Sequence, residues 1–141
     1  MPKQVTLDGK SVPPPPRLHR DPNDPFFIAL RQIAYKCLLD WWKKYHAGIL
    51  RDVLISLVYE EIKAREFRGE WKYPIPKKET VRKRVNELLE EHVVGSPPKA
   101  FAVPIKLENC LTTIYFPHPE LMPERDREEI YALIEEWKKQ R

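Results

Sequence analysis

The chain has 141 residues, of which 33% are charged and 42% hydrophobic, and a formal net charge of +4. That length suits one domain with its own core, while two cysteines and four scattered histidines exclude a disulfide framework or a zinc cluster as its basis. No window approaches the roughly 20 apolar residues of a membrane span. The N-terminus carries Pro and charge where a secretory signal needs an apolar run, so a reduced, cytoplasmic, metal-free protein is expected.

Distribution of charge says more than the total. Residues 1 to 50 hold 8 Lys and Arg against 4 Asp and Glu; Trp71 to Arg84 hold 6 against 1; residues from Pro119 onward hold 5 against 7. A local basic surface is expected, with an acidic C-terminal helix as counterweight. High charge, few Asn and Gln, and Pro concentrated outside the periodic segments form a profile associated with thermophiles.

Residues 1–25 have no sustained apolar period, and Pro13 to Pro16 favour polyproline II, so this stretch is expected to be a disordered or extended basic arm with Arg17, His19 and Arg20 as its contacts. Asp24-Pro25 then reads as an N-cap with Pro in the first turn. Phe27, Leu30, Ala34, Cys37, Leu38, Trp41 and Tyr45 follow at helical spacing up to Gly48. A second helix begins almost at once, with Leu50, Val53, Leu54, Leu57, Val58 and Ile62 on its apolar face. Gly69, Pro74 and Pro76 break the next segment, which allows at most a short strand over residues 70–73.

Residues 79–94 spell a third helix. On a wheel of about 100° per residue, Val81, Val85, Leu88, Leu89 and His92 share one stripe, while Lys83, Asn86, Glu87 and Glu90 point away. Phe101, Val103, Ile105 and Leu107 alternate, Glu108-Asn109-Cys110 suits a turn, and Thr112, Ile114 and Phe116 alternate again, which predicts a β-hairpin whose Pro104 marks a free edge. A last helix over residues 123–141 has acids in its first turn and Lys138, Lys139 and Arg141 at its end, in accord with the helix dipole. Its face of Ile130, Leu133, Ile134 and Trp137 either closes the core or pairs with a second copy.

Helix, helix, basic amphipathic helix and apolar hairpin is the order of a winged helix-turn-helix, and residues 80–94, Thr-Val-Arg-Lys-Arg-Val-Asn-Glu-Leu-Leu-Glu-Glu-His-Val-Val, resemble the recognition helix of that superfamily. The resemblance spans about residues 50–117. It implies an α+β, winged-helix-like domain over residues 26–141, its helices packed on a small antiparallel hairpin. It further implies that Lys78, Thr80, Lys83, Arg84 and Glu87 face a DNA major groove. Lys72, Lys77 and Arg82 extend the same basic surface, and Trp71 and Tyr73 lie beside it. Two departures stand out: residues 68–76 cannot form the regular short helix that usually precedes a recognition helix, and Lys106 and Glu108 nearly cancel at the hairpin.

Core burial is the favoured reading of Trp41, Trp42 and Trp71, but Trp41 and Trp42 are adjacent and cannot face the same core line, so one of them is a candidate exposed contact, and Trp42 and Trp71 are carried as the aromatic contact candidates. No catalytic residues are expected. Cys37 lies on a buried stripe about two and a half turns from His46, paired glutamates sit on solvated helix faces, and four glycines make no phosphate loop. The expected function is transcription regulation without a cofactor, through DNA or through the transcription machinery. In length, composition and Pro-rich leader the chain also resembles the small RNA polymerase-binding regulators of Thermus phages. That likeness implies a host-cytoplasmic protein contacting the polymerase β-flap and the sigma factor. The alternative is a structural or assembly adaptor, a homodimer joined through the last helix.

Overall fold

A computed structural model describes residues 24–90 and 97–139, together with the backbone of two short paired strands, β1 (Gln4–Val5) and β2 (Ser11–Val12). Arg17, His19 and Arg20 of the expected arm, and His92 to Val94 of the expected third helix, lie outside the described residues.

Helix α1 (Pro25–Tyr45) starts as its sequence dictates: the Asp24 carboxylate accepts the Phe26 N–H at 2.9 Å and Pro25 supplies the first turn. It stops at His46, which adopts a left-handed φ of 48° and donates its N–H to the Trp42 carbonyl at 2.8 Å. Strand β3 (Ile49–Leu50) follows and runs directly into α2 (Arg51–Phe67). Gly69 holds a φ of +73° just past α2, where the Glu70 N–H returns to the Arg65 carbonyl at 2.8 Å.

Residues 70–77 form an irregular connection and not the short strand that the sequence allowed. Its prolines break any ladder, and side chains pin it instead: the Trp71 indole donates to the Pro74 carbonyl at 3.3 Å and the Tyr59 hydroxyl to the Pro76 carbonyl at 3.0 Å. Helix α3 (Lys78–Glu87) is shorter than its periodic pattern. The N–H groups of Leu88, Leu89 and Glu90 bond three residues back, which tightens the chain out of the α-helix, and the Leu88 carbonyl is taken by the Ala100 N–H at 2.9 Å.

Strands β4 (Ala100–Leu107) and β5 (Cys110–Pro117) form the hairpin around Glu108–Asn109, and β3 pairs with the far side of β5 through Ile49 opposite Tyr115 and Leu50 opposite Ile114. The order β3-β5-β4 puts the Pro104 strand at the sheet's edge, where a missing N–H is tolerated. A 3₁₀ turn (Pro119–Leu121) leads into α4 (Glu124–Lys139). Among the described residues the fold is thus α+β, four α-helices packed with a small three-stranded antiparallel sheet.

Alternation along the hairpin builds two cores. Ala100, Ala102 and Tyr115 face the cluster made with α1, α2 and α3, while Val103, Ile105, Ile114 and Phe116 face a second cluster closed by Ile130 and Ile134 of α4. Trp42 lies in this second cluster at 1% exposure, which corrects its assignment as an exposed contact. The chain leaves α1 just beyond it, so the buried stripe ends on Trp42, and half-buried Trp41 instead donates its indole N–H to the Gly48 carbonyl at 3.2 Å. Leu133 and Trp137 pack against the same cluster. No helix among the described residues is long and apolar enough to cross a membrane.

Candidate nucleic-acid interface

Burial of Val81, Val85 and Leu88 fixes the roll of α3 and divides its polar residues into three rows. Lys78 and Arg82, one turn apart, are exposed, as are Glu79 and Lys83 beside them. The third row turns inward. Thr80 is half-buried, the Arg84 side chain is 13% exposed with its guanidinium 4.1 Å from the Phe27 ring centroid, and Glu87, at 19%, takes Arg84 at 2.9 Å and Arg31 of α1 at 3.0 Å. Arg84 and Glu87, expected to read a groove, therefore hold α3 against α1. Asn86 also faces the protein and not solvent, accepting from the Tyr115 hydroxyl at 3.2 Å.

Lys72 and Lys77 are exposed on the connection that precedes α3. Trp71 between α2 and α3 is 9% exposed, packed with Phe26 and Tyr73, and so belongs to the core and not to a contact platform. Its burial, the favoured reading of the sequence, follows from the loop folding back onto Phe26 of α1.

Arg82 opens onto a groove of about 950 Å³ between the helices and the outer half of the hairpin. Near the core, one hairpin face is covered by α1–α3 through Ala100, Ala102 and Tyr115; farther out the same face carries Pro104, Lys106, Leu111 and Thr113 and overhangs the start of α2. Arg51 and Asp52 at the start of α2 and Glu108 of the hairpin turn also line it. Arg51 went unnoticed in the sequence because it looks like an ordinary helix residue; the short strand before α2 is what sets it beside the hairpin. Among the described residues, Lys72, Lys77, Lys78, Arg82, Lys83 and Lys106 make no ion pair, in contrast to Arg31 and Arg84. The exposed side of α3 thus presents cations held by no ion pair among the described residues, and along the groove Arg51, Arg82 and Lys106 outnumber the carboxylates of Asp52 and Glu108.

Elsewhere, His46, Asp126 and Glu129 bring ligand-type atoms within 4.8 Å of one another, and the 3.0 Å contact of His46 Nδ1 with Glu129 links the C-terminal cap of α1 to the second turn of α4. Burial pushes the Cys37 thiol up to about 11, so it is protonated at neutral pH. Compared with known protein families, curated proteins and solved structures, the chain finds no match.

Proposed function

We propose that the protein is a transcription regulator that binds DNA through a winged-helix-like module, with α3 presented to the major groove and the hairpin beside it. The element order α1-β3-α2-α3-β4-β5 and the strand order β3-β5-β4 support this reading, since they set a hairpin next to an exposed helix on one side of a helical core. The observation that carries it is the set of cations without ion pairs among the described residues, Lys77, Lys78, Arg82 and Lys83 on one edge of α3, with Arg51 and Lys106 lining the adjoining groove. Phosphates supply the charge this surface lacks. Titration of a labelled duplex at low salt tests the proposal: saturable retention is expected, and its absence overturns the DNA reading.

A second reading places the same module on the transcription machinery. It is favoured by the hairpin tip, where Leu107 and the 81% exposed Leu111 stand in place of the Arg and Lys that a DNA-contacting hairpin brings to the backbone. Recovery of RNA polymerase subunits, through the β-flap or the sigma factor, from a thermophilic host lysate is the expected result there. The adaptor alternative has less support, because Ile130 and Ile134, half of the face that a dimer through α4 would use, are buried in the second core.

A further inference from the structure

We propose that Tyr115 is a positioning residue for the anion-binding groove, holding Arg51 at a fixed distance from α3; the inference rests on the DNA-binding reading. Tyr115 lies in β5 at the centre of the sheet and is almost fully buried. Its ring packs in the helical core, while its hydroxyl reaches the place where α2, α3 and the sheet converge. Arg51 Nε–H donates to that hydroxyl at 2.9 Å, with the guanidinium carbon 5.7 Å from the ring centroid.

An arginine has no acceptor, so the hydroxyl must receive this bond and send its own proton to the Asn86 Oδ1, 3.2 Å away. The direction of the relay is therefore set by chemistry: Arg51 to Tyr115 to Asn86. It joins the first residue of α2 to the last turn of α3 through the sheet. Because Nε is occupied, the terminal NH₂ groups of Arg51 remain, and among the described residues nothing in the protein takes them. Arg51 lines the groove that Arg82 enters from α3, together with Lys106, Asp52 and Glu108. Two arginines line one groove, and the first is tethered to the helix that carries the second, so together they present a pair of guanidinium groups to a phosphate backbone. Arg51 free of its tether would sample many rotamers and lose part of each contact to ordering entropy.

Tyr115→Phe removes only the hydroxyl and keeps the packed ring, and Asn86→Ala breaks the relay from its other end. The experiment is a salt series of binding to a short labelled duplex, with the arginine Nε–H resonances of the same samples followed by NMR. Arg51→Ala is expected to lower the log-log salt slope by about one, Tyr115→Phe to weaken binding severalfold at every salt concentration, and the double variant to bind no more weakly than Arg51→Ala. The Arg51 resonance, sharp in the wild type, should broaden or exchange away in Tyr115→Phe and in Asn86→Ala. Wild-type affinity in Tyr115→Phe alongside weakened binding in Arg51→Ala overturns the proposal. If the wild type retains no duplex, the DNA reading falls and the NMR arm decides the tether: a resonance lost in both relay variants upholds it, and an unchanged one overturns it.

Discussion

Arg31, near the start of α1, and Glu87, the last residue of α3, meet at 3.0 Å in a half-buried contact, and Arg84 reaches the same carboxylate at 2.9 Å from one turn back. One acidic group thereby anchors two cations and fixes the crossing of the two helices. Glu87→Ala leaves both guanidinium groups facing each other without that carboxylate, and a loss of about 2 kcal/mol is expected in urea unfolding. Glu87→Gln, which keeps a hydrogen-bond acceptor, should cost less.

Trp42 is a core residue by the same test of placement. Trp42→Ala would open a cavity between the hairpin and α4 and should destabilise the fold by about 3–5 kcal/mol, lowering the thermal midpoint strongly. A loss of partner binding with unchanged stability would restore it as a surface contact.

Gly48 sits tightly under the sheet. A Cβ there would lie 2.6 Å from Ile114 Cγ1 and 2.8 Å from Phe116 Cζ, both on buried side chains. Gly48→Ala should therefore destabilise by about 1–3 kcal/mol, measured by chemical unfolding.

Cys37 and Cys110 should separate in reactivity and in pH dependence. Exposed Cys110 at the hairpin tip is expected to react at once with a thiol reagent, and buried Cys37 only on unfolding. Burial raises the Cys37 thiol from 9.0 to about 11, so between those values the folded state keeps a proton that the unfolded state releases. Stability from this group is complete below pH 9 and falls as pH rises toward 11. The wild type should lose more stability than Cys37→Ala across that window, by comparison of urea midpoints.

What the sequence revealed and what it concealed follow from how local each feature is. The α1 and α2 stripes, the Asp24 cap, the hairpin and the α4 face were legible, because periodicity and capping are properties of neighbouring residues. Strand β3 was not, since two residues leave no pattern. The choice between Trp41 and Trp42 depended on where α1 stops and on a second core built from residues far along the chain. Arg84 and Glu87 looked like the exposed residues beside them; only Phe27 and Arg31 of α1, more than 50 residues earlier, turn them inward. Of the candidate surface, Lys72, Lys77, Lys78, Arg82 and Lys83 are exposed as the sequence suggested, while Arg51 enters through tertiary placement alone.

The most direct measurement compares Arg82→Ala, Lys83→Ala and Arg84→Ala in a salt series of duplex binding, each checked for folding. Arg82→Ala and Lys83→Ala should keep wild-type stability and each flatten the log-log slope by about one, whereas Arg84→Ala should lose stability and keep the wild-type slope. A duplex that is not retained even at low salt, or slopes unmoved by removing Arg82 and Lys83, would contradict DNA binding through α3.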